Sequence, residues 1–261
     1  MPRASRYFLP GHVWHISHRC HMKAFLLKFE RDRKRWVYWL FEAKKRYGLC
    51  VLNYIVTANH IHLLVKDTGH DVIPKSMQLI AGRVAQEYNH RKSRKGAFWE
   101  DRYHATAIDT GDYLSRCLAY IDLNMLRAGA VKHPAEWAAC GYCEIENSPK
   151  RYRIIDQPAL LALLELRDID QFRQAREAWI SKIMASGNNK PDQTWSNSLA
   201  VGRQEYVDQM KQALGTRART REIEELDDRY AIQESSTVYA DNFTAKIGLL
   251  SEKNTVIWNG T

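Results

Sequence analysis

The chain has 261 residues, of which 45% are hydrophobic, 26% charged and 11% aromatic, a composition that excludes a disordered protein. No apolar run reaches the ~18 residues that a membrane span needs, and the short basic start is not typical of a signal peptide, so we expect a cytoplasmic protein with no membrane partner. Residues 1–153 carry 26 Lys and Arg against 14 Asp and Glu, a surplus of +12, and the remaining residues carry −3, which together give the net charge of +9. The positive field of residues 1–153 favours a polyanionic partner, nucleic acid first.

The first predicted element is a strand over residues 11–19, which follows a Pro-Gly turn and alternates in polarity. Histidine recurs at every third position of this region: His12, His15, His18 and His21. On a strand this spacing alternates between the two faces. The four histidines therefore cannot meet at one ion, and we expect them to be solvated or hydrogen bonded.

Residues 22–47 carry apolar side chains among charges at the spacing of a helix. The pattern predicts one long or two short amphipathic helices that end before Gly48. The basic runs at 31–35 and 44–46 are most simply a solvated helix face.

The next segment, residues 51–65, contains two apolar, β-branched runs separated by Ala58-Asn59, which predicts two strands around a tight connection. Side chains alternate along a strand, so His60 and His62 share one face, about 6.6 Å apart at the backbone. Neutral imidazole is a common ligand of divalent metals. Two partly buried strand histidines are the alternative, because the pattern is short and a third ligand must come from elsewhere.

A helix is predicted over residues 74–89, where apolar residues fall at the helical period. Beyond it, residues 90–96 form a concentrated basic loop close to Phe98 and Trp99. Basic side chains beside aromatic rings suit single-stranded nucleic acid, because bases stack on the rings while the cations follow the phosphates. A solvated helix terminus explains the same loop equally well.

Residues 103–108 are predicted to form a fourth strand, and a helix runs from a cap at Asp112 to about Leu126. A narrow apolar stripe of this helix is expected to face the core: Leu114, Leu118, Ile121 and Met125. One flank of the stripe is polar: Tyr113, Arg116, Tyr120, Asn124 and Arg127. Tyr120 and Asn124 are neighbours at i and i+4, so the helix can present both at the edge of a cleft, although an ordinary amphipathic surface has the same pattern.

The character of the chain changes after Pro149. Three helices are predicted beyond this point: residues 160–166, 172–184 and 201–214. The tail is acidic after Arg221 and then rich in Ser and Thr. We therefore divide the chain into a catalytic domain (1–150), a helical C-terminal appendage (151–220) and a poorly ordered acidic tail (221–261).

The five cysteines are odd in number and irregularly spaced, so a disulfide framework is not expected. Cys140 and Cys143 form one Cys-x-x-Cys pair, but a zinc ribbon would need a second pair downstream. We expect these two to be small core residues.

The order strand, helix, strand pair, helix, strand, helix predicts an α+β fold, in which an antiparallel sheet carries helices packed on it. A two-histidine strand, a Tyr and Asn helix flank and a basic surface together indicate cleavage of a phosphodiester by a side-chain nucleophile. A metal would polarise the phosphate and a tyrosine would attack it. An unactivated phenol has a pKa of about 10, so it needs a nearby cation or base.

The sequence resembles the REP-associated tyrosine transposases, which belong to the HUH single-strand DNA transposases. The stretch Asn59-His60-Ile61-His62-Leu63-Leu64 is similar to the His-hydrophobic-His motif of this family. The stretch Tyr120-Ile121-Asp122-Leu123-Asn124 is similar to its catalytic Tyr-x-x-x-Asn element and precedes the turn Arg127-Ala128-Gly129. Three further stretches support the resemblance: residues 14–19, 98–103 and 202–207. Order and spacing agree over residues 3–145, and more weakly to about 220.

The resemblance implies an HUH fold, which is ferredoxin-like and RRM-like, with His60, His62 and Asn124 as ligands of Mg²⁺ or Mn²⁺. It implies that Tyr120 attacks single-stranded DNA and leaves a 5′-phosphotyrosine and a free 3′-hydroxyl that can reverse the step. The implied substrate is a repetitive extragenic palindrome folded as a hairpin. The enzyme would be a bacterial, nucleoid-associated monomer or a homodimer that exchanges the tyrosine helix.

Contacts with DNA are expected from basic and aromatic positions around these motifs: Arg19, Arg91, Lys92, Arg94, Lys95, Trp99, Arg102, Arg116 and Arg127. Three positions depart from the family pattern, since Ala58 and Met125 stand where proline is usual and residues 137–140 lack a Ser pair.

A domesticated protein that binds hairpin DNA or RNA without cleavage is the alternative function. A metal-dependent phosphohydrolase of small substrates is a third, and the basic field disfavours it.

Overall fold

The computed structural model describes residues 8–149, 151–185, 192–219, 221–226 and 228–233. Within these ranges the chain forms one seven-stranded sheet. Its strands are β1 (Val13–Arg19), β2 (Cys50–Val56), β3 (His60–Lys66), β4 (His104–Ile108), β5 (Ser198–Gly202), β6 (Ile223–Leu226) and β7 (Arg229–Gln233). The strand order is β2-β3-β1-β4-β5-β7-β6, and β4 with β5 is the parallel pair among otherwise antiparallel neighbours.

Helices connect these strands and pack on the sheet. They are α1 (Glu30–Tyr47), α2 (Val72–Arg91), α3 (Asp112–Asp122), α4 (Asn124–Arg127), α5 (Gly141–Glu146), α6 (Gln157–Leu163), α7 (Ile169–Ala185), α8 (Thr194–Asn197) and α9 (Gln204–Leu214). The predicted α+β fold is therefore confirmed. Across the described ranges, every helix is too short or too polar to span a bilayer.

The two faces of the sheet carry different helices. Trp36 of α1 lies 6.5 Å from Tyr54, measured between ring centroids, and Tyr54 is paired with Leu63 across β2 and β3. On the opposite face, the side-chain amide of Asn53 donates a hydrogen bond of 2.9 Å to Asp122 at the end of α3. Because side chains alternate along β3, α1 covers the face of Leu63 and α3 covers the face of His60 and His62.

The connection between β2 and β3 is a tight turn held by Thr57. Its hydroxyl donates to the carbonyl oxygen of His60 at 2.8 Å and accepts the backbone N–H of His60 at 3.1 Å. The turn around Ala58-Asn59 therefore matches the prediction. It also fixes the backbone at the first residue of β3.

Helix α1 is shorter at its start than the spacing predicted. Met22 and Lys23 have φ values of 52° and 56°, which no helix tolerates in succession, and the regular helix begins at Glu30. The aromatic side chain of Phe25 is 65% exposed, so it is not part of a buried helical face. The end agrees with the prediction, since Gly48 has φ 72° and closes the helix in the left-handed region.

The C-terminal region is not only helical, and this corrects the description of it as a helical appendage. Residues 198–202, partly included in the predicted helix 201–214, form β5 beside β4, and α9 begins afterwards at Gln204. A Cβ on Gly202 would overlap Asp109 and lie 2.8 Å from Cδ1 of Tyr206. Glycine therefore permits a close approach of β5 to the end of β4, a tertiary contact that local periodicity cannot reveal.

Part of the acidic tail is ordered, contrary to the prediction for residues 221–261. Residues 223–226 and 229–233 form the hairpin β6–β7, which pairs with β5. Ala231 and Ile232 are buried in it, so burial of these two residues compensates for the acidic neighbours. Residues 234–261 lie outside the described residues, and the division of the chain into three domains stays a prediction.

Cys140 is buried and its thiol donates to the carbonyl oxygen of Trp137, as expected for a core residue. Cys143 is half-buried, and both thiols are free.

Candidate active site

His60 and His62 lie side by side on the α3 face of the sheet. Their ring centroids are 4.9 Å apart. In the neighbouring strand β1, Arg19 is opposite His60 and Ser17 is opposite His62. The predicted common face of the two imidazoles is therefore present in the structure.

Tyr120 projects from α3 onto this histidine pair. Its ring centroid lies 5.6 Å from that of His62, and its hydroxyl lies 3.3 Å from the hydroxyl of Ser196. The guanidinium of Arg127 lies 4.3 Å from the centroid of the Tyr120 ring and donates to the Tyr120 carbonyl oxygen. The sequence pattern could not distinguish Tyr120 from Tyr113, but Tyr113 is not among the residues that line the cavity.

The end of α3 is anchored by a buried ion pair. The carboxylate of Asp122 accepts from Nε of Arg176 in α7 at 2.7 Å, and the two side chains are 0% and 1% exposed. Asn53 of β2 donates to the same carboxylate. Helix α3 is thereby held both to the sheet beneath it and to α7, two residues after Tyr120. The predicted apolar stripe of the helix is also buried: Leu114, Leu118, Ile121 and Met125.

These side chains surround one cavity of about 590 Å³. The histidine pair, Tyr120 and Asn124 line it. The charged residues of its wall are three arginines (Arg19, Arg102 and Arg127) and two acidic residues (Glu100 and Asp101). A larger cavity of about 740 Å³ lies between α1 and α2, but its arginines include Arg35, which forms an ion pair with Glu87, and it contains no residue of either motif.

Burial keeps the histidines neutral. Desolvation, and after it the charge of Arg19, lowers the pKa of His60 to about 4, opposed by a hydrogen bond with Asn124. The pKa of His62 is well below its ordinary value, first because of burial and then because of His15 and His60 nearby. Neutral imidazoles can offer a nitrogen lone pair to a cation.

The nitrogen that each ring offers follows from its hydrogen bonds. Nδ1 of His60 lies 2.8 Å from Oδ1 of Asn59, an acceptor, so His60 carries its proton on Nδ1 and its Nε2 is unprotonated. The ring of His60 also contacts the side chain of Asn124. Among the described residues, no group of three His, Cys, Asp or Glu side chains is arranged to hold a metal. A divalent metal beside the two imidazoles would find the side-chain amide of Asn124 as a further oxygen donor.

Three features of the site were missed from the sequence. His15 of β1 is completely buried, and its Nε2 lies 2.9 Å from Nδ1 of His62. Ser196 belongs to α8, in the C-terminal region, where no chemistry was predicted. His104 of β4 also lines the cavity, and its Nε2 lies 2.8 Å from the carbonyl oxygen of Ser198. No sequence signal identifies them, because the contacts depend on strand register and on a segment remote in the chain.

The other N-terminal histidines do not contact the pair of His60 and His62, although His18 lines the same cavity. His18 stacks on Trp99 at 4.0 Å between ring centroids, and His12 packs on Tyr206 at 5.8 Å.

The residues expected to contact DNA are only partly brought together. Arg19, Arg102 and Arg127 line the cavity with Tyr120. The others lie outside this lining: Arg91, Lys92, Arg94, Lys95, Trp99 and Arg116. Several of them have structural partners, since Arg91 pairs with Asp32, Arg116 with Asp228, and Arg94 with the carbonyl oxygen of Ala97. The indole N–H of Trp99 donates to the carbonyl oxygen of Ala81, whereas Lys92 and Lys95 are exposed at the end of α2.

Comparison with known proteins adds a family match. Residues 11–124 match the family described as Transposase IS200 like, a segment that contains His60, His62, Tyr120 and Asn124 but not α8. A solved REP-associated tyrosine transposase bound to a REP hairpin is similar at 16% identity, over 60% of this chain and 94% of that chain, with a TM-score of 0.47. A transposase structure from Deinococcus radiodurans is similar at 17% identity, over 40% of this chain and 83% of that chain, with a TM-score of 0.32. No curated protein sequence matches the chain.

Proposed function

We propose that the chain cleaves and rejoins single-stranded DNA through Tyr120, a proposal supported by the match of residues 11–124 to the IS200-like transposase family and by the resemblance of the motifs. One observation supports this most strongly. The Tyr120 ring lies 5.6 Å from His62 in a cavity that also contains His60 and Asn124. The proposed nucleophile and the proposed metal ligands are thus close together within one chain, as a reaction at one phosphorus requires.

In the proposed reaction, the phenol oxygen of Tyr120 attacks the phosphorus of a DNA phosphodiester. The new bond joins Tyr120 to the 5′-phosphate, the bond from phosphorus to the 3′-oxygen breaks, the phenol loses its proton to solvent and the 3′-oxygen gains one. Attack by that 3′-hydroxyl on the phosphotyrosine reverses the step and rejoins the strand. The chain's own contribution is orientation: the Asp122–Arg176 pair holds α3, and Arg127 holds the Tyr120 backbone.

The residues that would hold a metal are His60 and His62, each through Nε2, and Asn124 through its side-chain oxygen. When bound there, a divalent cation would withdraw charge from the phosphate oxygen and so favour attack. We propose Mg²⁺ or Mn²⁺. Mn²⁺ accepts imidazole more readily than Mg²⁺, which prefers oxygen ligands and retains its waters, so Mn²⁺ is expected to bind more tightly.

The proposed substrate is a single strand with a hairpin, of the repetitive extragenic palindrome class that the motifs indicate. Arg19, Arg102 and Arg127 place positive charge where a phosphate would lie. The exposed lysines at the end of α2, Lys92 and Lys95, would extend the path for the backbone. Because the tyrosine and the histidines meet within one chain, a monomer acting in cis is sufficient.

The test is incubation of the full chain with a labelled single-stranded palindrome hairpin and Mn²⁺ or Mg²⁺. A covalent protein–DNA adduct on a denaturing gel is expected for the natural chain and for Tyr113→Phe, which changes the other tyrosine of the same helix flank. Tyr120→Phe is expected to lose the adduct while still binding the hairpin, because only the nucleophilic oxygen is removed.

An adduct that persists in Tyr120→Phe would show that another residue attacks. Tight, salt-sensitive hairpin binding without an adduct under either metal would instead indicate the alternative, a domesticated protein that binds without cleaving.

A further inference from the structure

A continuous line of hydrogen bonds connects His62 to the C-terminal region. Nδ1 of His62 lies 2.9 Å from Nε2 of His15, and Nδ1 of His15 lies 2.7 Å from the carbonyl oxygen of Trp195 in α8. The line thus runs from β3 through β1 to a helix more than a hundred residues later in the chain. All three groups are buried.

The direction of each hydrogen bond follows from the carbonyl group at its end. A carbonyl oxygen only accepts, so Nδ1 of His15 must donate to Trp195. In a neutral ring the other nitrogen, Nε2, is then an acceptor, and Nδ1 of His62 must donate to it. This leaves Nε2 of His62 without a proton.

The same tautomer is imposed on both histidines by different means. His60 is held locally, because its acceptor Asn59 is the preceding residue. His62 has a buried Nδ1 and no such neighbour in the turn, and its acceptor is His15 on the adjacent strand. An acceptor at Nδ1 of a metal-binding histidine fixes the ring orientation and raises the basicity of the other nitrogen.

We propose that His15 is a positioning residue for the metal site and that, together with the carbonyl oxygen of Trp195, it holds His62 in the tautomer that presents Nε2 to a divalent cation. This inference rests on the proposed function, since that function supplies the reason for a cation. It also assigns a role to α8, which lies outside the segment matched by the transposase family. The C-terminal region completes the site because the line of hydrogen bonds ends on its backbone.

The position of α8 is itself held by the sheet. The hydroxyl of Thr106 in β4 lies 2.7 Å from the carbonyl oxygen of Ser198 and 3.0 Å from that of Trp195. Thr106 is paired with His15 across β4 and β1. Two adjacent strands therefore present a hydroxyl and an imidazole to the same backbone segment, which explains why a polar pair is buried at this point of the core.

The tautomer is measured directly in the metal-free protein by long-range ¹H–¹⁵N correlation of the imidazole rings, with resonances assigned by His15 and His62 substitutions. His62 is expected to carry its proton on Nδ1. Protonation of His62 on Nε2 in the natural chain would overturn the inference without any variant.

Two variants then test His15 through Mn²⁺ affinity, measured by calorimetry. His15→Leu removes the acceptor and is expected to weaken Mn²⁺ binding roughly 10- to 100-fold and to give a mixture of His62 tautomers. His15→Gln keeps an acceptor and a donor, so affinity and tautomer are expected to be largely retained. His12→Leu serves as the control, because His12 packs on Tyr206 and not on the histidine pair.

The outcomes separate the two hypotheses. If the natural chain does not bind Mn²⁺ and forms no covalent adduct with hairpin DNA, the proposed function fails. If it binds Mn²⁺ and a folded His15→Leu binds it equally tightly with an unchanged His62 tautomer, the role of His15 is wrong. Should His15→Leu not fold, the spectrum of the natural chain alone decides, because a proton on Nε2 of His62 would overturn the role of His15 and a proton on Nδ1 would support it.

Discussion

The phenol of Tyr120 lies among neighbours that act on its pKa in opposite directions. Burial raises the pKa of Tyr120, whereas the hydrogen bond with Ser196 and the charge of Arg127 lower it. Burial is the largest of these effects, so the phenol is protonated at neutral pH. In the proposed reaction, activation of Tyr120 would depend on positive charge close to the phenol oxygen, and Arg127 would provide part of it.

Replacement of Arg127 by Gln is expected to slow formation of the covalent adduct roughly tenfold at neutral pH, which corresponds to about 1.4 kcal/mol of activation free energy. Loss of the cation raises the pKa of Tyr120. The pH at which the rate of adduct formation begins to increase is therefore expected to be higher in the variant. The measurement is the initial rate of adduct formation across neutral and alkaline pH.

The control for this change is Arg46→Gln. Arg46 lies on α1 and forms a surface ion pair with Glu42, so its loss removes a positive charge without reaching the cavity. A pH profile of Arg127→Gln that coincides with that of Arg46→Gln would refute the electrostatic role of Arg127.

At the scale of elements, β5 joins the C-terminal region to the sheet. Asp109, just after β4, is buried and pairs with Arg203, just after β5, at 2.9 Å. The backbone N–H of Arg203 also donates to this carboxylate. This contact positions the segment that contains α8, and therefore the groups of α8 that reach Tyr120 and His15.

Gly202→Ala is expected to destabilise the chain by roughly 1–3 kcal/mol, the usual cost of overpacking a close contact. The new Cβ would lie 2.8 Å from Cδ1 of Tyr206, so β5 must move away from β4. The measurement is the free energy of unfolding from denaturant titration, together with the yield of the covalent adduct, which should fall as α8 shifts.

Gly82→Ala is the matched control for that substitution. Gly82 lies within α2, and a Cβ there would have no neighbour within 4 Å. Alanine in a helix interior is favoured over glycine by about 0.5–1 kcal/mol, so this variant should be slightly more stable than the natural chain. Equal stability of the two alanine variants would contradict the close approach of β5 to β4.

For the whole molecule, the unequal distribution of charge along the chain bears on the proposed association with DNA. The surplus of positive charge lies in residues 1–153, the part that contains both motifs. A polyanion approaching the protein is therefore attracted to this part of the chain, and the interaction weakens with added salt because counterions compete.

Lys95→Ala is expected to weaken hairpin binding at every salt concentration and to reduce the slope of log Kd against log salt by about 0.7 to 0.9, the contribution of one phosphate contact. Lys182→Ala is the control, because Lys182 is equally exposed but lies on α7. Fluorescence anisotropy of a labelled hairpin over a salt series measures both. Identical slopes for the two variants would contradict a DNA path along the end of α2.

Much of the catalytic part was predictable, because its signals are local. Strand alternation puts His60 and His62 on one face, and helical spacing puts Tyr120 and Asn124 on one flank beside a buried stripe. Local signals failed where a contact overrides them. Met22 and Lys23 adopt positive φ values and do not form the start of a helix. Residues 198–202 form strand β5 because they pair with β4 and β7.

The chain sequence by itself determined the order of the elements, the common face of the two histidines, the flank that carries Tyr120 and the part of the chain with the positive surplus. Each of these depends on residue types at short spacing, whose geometry is set by the backbone period. Only the tertiary structure decided that Tyr120 rather than Tyr113 lies next to the histidines, and that His62 is hydrogen bonded to His15 and His15 to the carbonyl oxygen of Trp195. Those choices depend on strand register and on the packing of α8, which arise from long-range contacts and leave no periodic trace in the sequence.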